Sequence, residues 1–285
     1  KNSKKIQDLE LTNNKLKWTN KIHKHWSPGE NNAKLKLQEF IDNKADNYSL
    51  GRDRPDQNLT SKLSPHLHFG EISPMMIFNQ VSLSKKISTQ NKDKFLAEIG
   101  WRDFSYNLLY HYPDMTKNPI QNKFNKFPWL KDNKNLKKWQ KGFTGIPIVD
   151  AGMRQLYETG WMHNRVRMIV GSFLTKNLLL HWKLGEDWFF DTLVDADIAS
   201  NSAGWQWISG CGADASPYFR IFNPILQGQK FDPKGEYVKK YIPELENVKD
   251  KFIHNPWEMP EENQLACGCR IGTDYPNPIV DLKET

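Results

Sequence analysis

Apolar residues recur at helical spacing along much of the chain, and no clear pair of strands is evident. The spacing predicts a helix from about Glu30 to Asn43, with Leu35, Leu37, Phe40 and Ile41 on its apolar side. The chain shows neither βαβ alternation nor an internal repeat. We therefore predict a mostly α fold.

The clearest periodicity lies in residues 93–111, where Glu98, Trp101, Arg102 and Ser105 occupy positions i, i+3, i+4 and i+7. Residues at this spacing share one face of a helix. A helix beginning at Pro74, directly after Ser73, is also predicted, because proline is favoured at the first helical position.

Two further helices are predicted in the middle of the chain. The first is opened by Pro147 and closed by Gly160. The second runs from about His163 to Trp182, and its spacing puts the following residues on one face: Asn164, Arg167, Met168 and Gly171. A short helix near 186–194 follows.

The remaining segments show weaker patterns. Residues 1–27 are polar and lysine-rich and predict a linker or a loosely attached helix. Residues 44–60 are rich in turn formers, residues 113–145 predict a long irregular connection, and the chain looks looser from Asp214 onward.

Composition narrows the class of protein. A chain of 285 residues is long enough for one large domain or two small ones. No run approaches 18 apolar residues, and the first residues lack the apolar region of a signal peptide. Three cysteines cannot form a disulfide framework, which favours a reducing, cytoplasmic location. Cys267 and Cys269 are interpreted as ordinary surface thiols rather than half of a metal site, and no metal is predicted.

The formal net charge of +7 permits a polyanionic partner such as a nucleic acid. Lysine is abundant throughout the chain, so the charge is equally consistent with compositional bias. The few arginines are more informative, because only a planar guanidinium offers a two-pronged fork of donors.

The most informative segment is residues 194–224, where Asp195, Asp197, Asn201, Trp205 and Trp207 lie close together among small residues. Acids, an amide and indoles at helical spacing suit a flat aromatic ligand with polar edges. Taken alone, the two acids are equally typical of a helix cap or a cation site, and the indoles of core packing.

The sequence also bears on whether a turn of the chain could bind the phosphate groups of a ligand. The chain contains neither a Walker A loop nor GxGxxG, so a Rossmann-type turn is not expected. The hydroxyls and backbone N–H groups of residues 60–64 are suited to hold a pyrophosphate, although a Ser/Thr-rich turn is usually only a turn.

Four separated segments occur in order: TSKLSPHLHFGEISP at 60–74, FLAEIGWRDF at 95–104, GIPIVDAGMRQLYETGWMHNRVRM at 145–168, and VDADIASNSAGWQWISGCGADASPYFRIFNP at 194–224. Together they resemble the flavin-binding helical domain of the photolyase/cryptochrome family. The resemblance implies such a domain over 26–285, preceded by a linker over 1–25. It gives no counterpart to the family's N-terminal α/β antenna domain and no evident antenna chromophore site. The chain is then either a fragment or similar to short photolyase-like proteins.

The resemblance implies FAD, active in its reduced form, as cofactor. The implied FAD contacts are Tyr48, Thr60, Ser61, Lys62, Leu63, Ser64, Trp101, Arg102, Asn164, Arg167, Asp195, Ala196, Asp197 and Asn201. Among these, Arg167 is expected to hold Asp195 through a bidentate fork beside the isoalloxazine, and Asn201 to face flavin N5. Asp197 is expected near the adenine–ribose side.

The resemblance also implies contacts with DNA and with a flipped-out lesion, through Arg52, Glu98, Trp101, Arg102, Asn164, Arg165, Met168, Trp207 and Gln227. Glu98, Asn164 and Asn201 are the implied catalytic residues. Trp205, Trp182 and Trp129 are the implied electron chain from the surface to the flavin.

Details within the motifs favour one activity. Asn164 stands where members that repair the (6-4) photoproduct carry a second histidine, and Asn201 stands where plant cryptochromes carry an acid. The implied function is light-driven repair of cyclobutane pyrimidine dimers in single- or double-stranded UV-damaged DNA, by a monomer. Phe95 and Ala97 depart from some bacterial members, so the subclass stays open. The alternatives are a cryptochrome-like photoreceptor that signals through a partner and a DNA-binding module without catalysis.

Overall fold

Helices joined by short irregular segments make up the chain, and a computed structural model describes residues 5, 8, 19–215, 217 and 220–282. Within those residues there is no β-sheet, only isolated bridges between Leu130 and Leu180 and between Ile271 and Tyr275. The prediction of a mostly α fold is confirmed.

The α-helices follow in chain order, numbered α1 to α14 across the described residues. They are Thr19–Ile22, Glu30–Asn43, Tyr48–Gly51, Ser64–His68, Pro74–Leu83, Thr89–His111, Asn133–Lys141, Pro147–Thr159, Asn164–Ser172, Trp182–Thr192, Ile198–Ser209, Pro224–Phe231, Glu236–Tyr241 and Glu261–Cys267.

Two apolar cores hold these helices together. The smaller joins α2, α5 and the first half of α6 through residues such as Leu37, Ile77 and Phe95. The larger surrounds α8 and α9 and extends through Trp139 and Trp182. Helix α6 packs against α11 and so connects the two cores.

The predicted helix bounds are confirmed where capping signals are strong. Helix α2 spans Glu30–Asn43 as predicted, Ser73 accepts a hydrogen bond from Met76 N at the start of α5, and α8 ends at Gly160 with a φ of 66°. The placement of Leu35 on the apolar side was wrong, because it is 68% exposed. Two positions before Leu37, it points to the opposite side of the helix.

Two segments are more regular than predicted. Residues 113–145 contain α7, capped by Asp132 and closed by Gly142 at a φ of 67°. Because most of its residues are polar or lysine, this amphipathic helix, which buries Trp139, was not predicted from the sequence. The chain after Asp214 carries α12, α13 and α14 instead of loose structure.

The helix predicted from His163 to Trp182 is shorter than predicted, and the helix after it begins earlier. Helix α9 ends at Ser172 and passes into one π-helical turn at Phe173–Asn177. Leu179 then adopts a left-handed φ of 51°, and α10 begins at Trp182, earlier than the predicted 186. Helical spacing continues through the break, so periodicity alone does not reveal it.

The predicted linker over 1–25 lies largely outside the described residues, and the domain boundary stays a prediction. In the described part, Trp26 Nε1 donates to Thr159 O at 2.6 Å. Cys269 is buried, which corrects its interpretation as a surface thiol. No described helix has the length and apolarity needed to cross a membrane.

Candidate functional site

A cavity of about 610 Å³ opens between α6, α9 and α11. Its size is typical of a site for a cofactor-sized ligand. The residues that were predicted from the sequence and line it are Arg52, Ser64, Glu98, Trp101, Arg102, Asn164, Arg167, Met168, Asp195, Ala196, Asp197, Asn201, Trp205 and Trp207.

Helix α6 supplies one wall through the face predicted from its spacing. Glu98, Trp101, Arg102 and Ser105 all line the cavity. Trp101 remains 52% exposed, an unusual state for an indole in a protein with a well-formed core. An exposed indole can stack on an aromatic ring, and a neighbouring carboxylate can accept a hydrogen bond from the edge of that ring.

Helix α9 supplies the opposite wall. Arg167 Nη2 donates to both carboxylate oxygens of Asp195, at 3.1 and 2.8 Å, while its Nε donates to Met162 O at 2.8 Å. The expected ion pair is therefore present, and a single guanidinium nitrogen bonds both carboxylate oxygens. Asp195 is buried, and the pairing with Arg167 compensates part of the cost of removing its charge from water.

The start of α11 closes the base of the cavity. Asp197 accepts a hydrogen bond from Ser200 N at 2.7 Å, so the helix-cap alternative is confirmed for this acid. Its other oxygen accepts from Tyr106 OH. One turn later, Asn201 Nδ2 donates to Glu186 O at 3.0 Å, which fixes an amide that also lines the cavity.

A chain of alternating charges runs along the rim. Glu98 forms an ion pair with Arg52. Asp53 Oδ1 lies 3.8 Å from Arg52 Nε and 2.8 Å from Arg165 Nη2. Arg165 does not line the cavity, yet Asp53 links it to the rim. The structure thus places these charges together although α3 and α9 are distant in sequence.

The hydroxyl-rich residues 60–64 are less central than predicted, since only Ser64 lines the cavity. Trp161 joins this segment to the site and was not singled out from the sequence. Its Nε1 donates to Ser64 Oγ at 3.4 Å, and Lys62 Nζ and the Arg167 guanidinium lie 5.4 and 5.9 Å from its ring. Burial, followed by repulsion from Lys240, lowers the pKa of Lys62, so an anion at this point would be favoured.

The three predicted electron-chain tryptophans lie at different depths. Trp205 lines the cavity and is 4% exposed, Trp182 is buried, and Trp129 is half-buried. Two aromatic neighbours of Trp205 were not predicted from the sequence. The rings of Phe189 and Trp139 lie 5.0 and 6.2 Å from it.

Two other predicted contacts lie outside the cavity wall. Tyr48 is buried against Phe40 and Phe95, and its burial beside Glu98 raises its pKa. Gln227 lies on α12, away from the lining residues. Among the described residues, no cluster of three side chains suited to a metal ion occurs.

Comparison with known proteins agrees with this geometry. The family model described as the FAD binding domain of DNA photolyase matches residues 95–285. A deoxyribodipyrimidine photo-lyase of Agrobacterium fabrum is 51% identical over 98% of this chain and 58% of its own length. Cryptochrome-2 of Arabidopsis thaliana is 42% identical over 97% of this chain and 47% of its own length.

A solved structure gives the same result. The crystal structure of a class III photolyase from Agrobacterium tumefaciens superposes with a TM-score of 0.96 and 50% identity, over 100% of this chain and 59% of that one. The chain thus spans a little over half the length of these photolyases. It belongs to the family of FAD-binding domains of DNA photolyase.

Proposed function

We propose that this chain binds FAD in the cavity and, with FAD reduced, uses light to repair cyclobutane pyrimidine dimers in DNA. One observation carries the proposal. A single cavity combines the ion pair of a half-buried Arg167 and a buried Asp195 on its inner wall with an exposed Trp101 and the Glu98 carboxylate at its mouth. The inner wall suits a cofactor, and the mouth suits a flipped base.

The residues present fit FAD. The cavity volume is adequate, and Gly204 faces open space, since a Cβ placed there meets no atom within 4 Å. Arg167 and Asp195 would flank the flavin ring, Asn201 would face it, and Lys62 and Ser64 would hold the phosphates. When bound, reduced FAD supplies the photochemistry that exchanges an electron with the lesion.

The chain's own residues bind and orient the substrate. Trp101 offers a stacking surface worth on the order of 1–3 kcal/mol per base, which offsets much of the cost of extruding the lesion. Arg52 holds the Glu98 carboxylate in place through an ion pair. Arg52 and Arg165, the latter paired with Asp53, are the basic side chains that would contact DNA. Asn164 and Met168 complete the lesion side, and Asn164 favours a cyclobutane dimer over a (6-4) photoproduct.

Reduction of the cofactor requires a path for electrons. We propose that Trp205, at the cavity wall, receives electrons from the buried Trp182 and the half-buried Trp129. Trp129 is half-buried whereas Trp182 and Trp205 are both buried, which supports a path from the protein surface inwards. The same side chains are not needed once FAD is reduced.

The test is whether this chain of 285 residues, acting as a monomer, repairs a dimer. Protein loaded with FAD and chemically reduced is mixed with an oligonucleotide carrying one thymine dimer, single- or double-stranded, in light and in darkness. We expect loss of the dimer only in light. Glu98→Gln should weaken repair while retaining FAD. An unchanged dimer in light, with FAD bound, would refute the proposal.

The second candidate is a flavin photoreceptor, which the 42% identity to a cryptochrome favours. Repair and signalling predict different outcomes of the same experiment. A photoreceptor would bind FAD and change conformation in light without lowering the amount of dimer. Asn201 argues against it, because the resemblance associates an acid at this position with plant cryptochromes.

A further inference from the structure

The ring of His181 lies between two of the tryptophans assigned to electron transfer. Its centroid is 5.3 Å from that of Trp129 and 5.5 Å from that of Trp182. We propose that His181 is a bridging residue that couples Trp129 electronically to Trp182. The inference rests on the proposed function, because it requires that these tryptophans carry electrons to the cofactor.

The two contacts differ in geometry. His181 is stacked on Trp182 with an interplanar angle of 29°, and it meets Trp129 at 60°. Offset-stacked and tilted rings at 4.5–7 Å are in van der Waals contact. The ring centroid of Phe127 lies 4.4 Å from that of Trp129. An aromatic path therefore runs continuously from a half-buried indole to a buried one.

Backbone structure holds this stack in place. The bridge between Leu130 and Leu180, with Leu130 N donating to Leu179 O at 2.9 Å, fixes the segment of Trp129 beside that of His181. Leu179 takes a left-handed φ of 51° to make the turn. Strain at a non-glycine residue persists only where the surrounding structure enforces it.

The histidine ring itself has one orientation. As the N-cap of α10, its Nδ1 accepts from Lys183 N at 3.1 Å, which leaves the proton of the neutral ring on Nε2. Burial, assisted by Lys183 and opposed by Asp187, lowers the pKa of His181. A neutral ring adds no positive charge next to an oxidised indole, so charge does not oppose the transfer.

The step transfers one electron. Trp182, oxidised after giving an electron to Trp205, takes an electron from Trp129 across the His181 ring. Trp182 returns to its neutral form, Trp129 becomes the oxidised residue, and an added thiol reductant then restores Trp129. His181 is neither oxidised nor reduced overall, and no covalent bond forms.

Two substitutions separate the ring from the cap. His181→Asn keeps a good N-cap but removes the aromatic ring, whereas His181→Phe keeps a ring and removes the cap. Each variant is loaded with oxidised FAD, illuminated with excess thiol, and followed by flavin absorbance. Transient absorbance of the tryptophan cation radical gives the rate of the step itself. FAD content and thermal unfolding are measured on the same samples.

We expect His181→Asn to slow photoreduction and the final radical step by about tenfold, equivalent to about 1.4 kcal/mol of activation free energy, and His181→Phe to stay within about twofold of wild type. The reverse order would show that capping matters and would overturn the proposal. Equal rates in all three proteins would overturn it as well.

Trp129→Phe separates a failure of the His181 bridge from a failure of the whole tryptophan route. If it slows photoreduction while His181→Asn does not, only the bridging role fails. If Trp129→Phe photoreduces like wild type with FAD bound, the proposed tryptophan route fails and the bridge fails with it.

Discussion

Trp205 packs directly against Gly185, and this contact predicts how much the substitution Gly185→Ala lowers the free energy of unfolding. A Cβ at Gly185 would lie 2.1, 2.5 and 2.6 Å from three atoms of the Trp205 six-membered ring. The indole is rigid and is enclosed by Phe189 and Trp139. Gly185→Ala therefore requires the ring to move by about 1 Å within a close-packed core.

The expected cost combines two effects. Overpacking a core costs about 1–3 kcal/mol, and a displacement of a rigid ring places this variant at the upper end. Replacing glycine by alanine inside a helix returns roughly 0.5–1 kcal/mol. We expect a net loss of about 2 kcal/mol, which lowers the melting temperature by roughly 3 °C in a chain of 285 residues.

Gly100→Ala is the matched control. Gly100 is also inside a helix, α6, and a Cβ there meets no atom within 4 Å. This variant should gain about 0.5–1 kcal/mol from helix propensity alone. Thermal and urea unfolding of both variants, each without FAD, measures the difference. If Gly185→Ala is as stable as Gly100→Ala, the indole is not held as the structure indicates, and the fixed position assigned to Trp205 is wrong.

Three further predictions concern other parts of the chain. Trp205→Phe should block light-driven reduction of oxidised FAD yet leave repair by chemically reduced protein nearly intact; equal photoreduction in absorbance assays would contradict the electron route. Tyr275→Phe should destabilise the fold by about 1–2 kcal/mol in urea, because the buried Asp150 carboxylate loses the phenol donor at 2.6 Å; a variant of unchanged stability would show that this bond contributes nothing. Burial raises the pKa of Asp232 to about 7, above its value in the unfolded chain. Between about pH 4 and pH 7 the folded state therefore keeps a proton that the unfolded state has lost. The free energy of unfolding should fall as pH rises through this range, by at most about 1.4 kcal/mol per pH unit. Asp232→Asn should remove that component of the slope, which unfolding at several pH values would show, and an identical slope would refute it.

Several functional positions followed from local spacing. The cavity-lining face of α6 is set by residues three and four apart, and any helix places such residues together. The face of α9 containing Asn164 and Arg167 follows in the same way. The roles expected of these residues came from the family resemblance, since spacing gives position and not chemistry.

Other features depended on structure beyond local spacing. The break between α9 and α10 rests on a π-helical turn and on Leu179 in a left-handed conformation, neither of which alters the apolar pattern. Asp197 illustrates a different limit. The sequence left open a cap, a cation site or a cofactor contact, and only the bond from Ser200 N showed that it caps α11.

The mostly α fold, the faces of the main helices and the family could be predicted from the amino-acid sequence, because they depend on spacing and residue type along short stretches. Which distant residues meet is seen only in the folded chain. The fold places His181 between Trp129 and Trp182, joins Arg52 to Arg165 through Asp53, and seats Trp205 on Gly185. Such contacts depend on how the helices pack in three dimensions, and many sequences share the same helical pattern without sharing that packing.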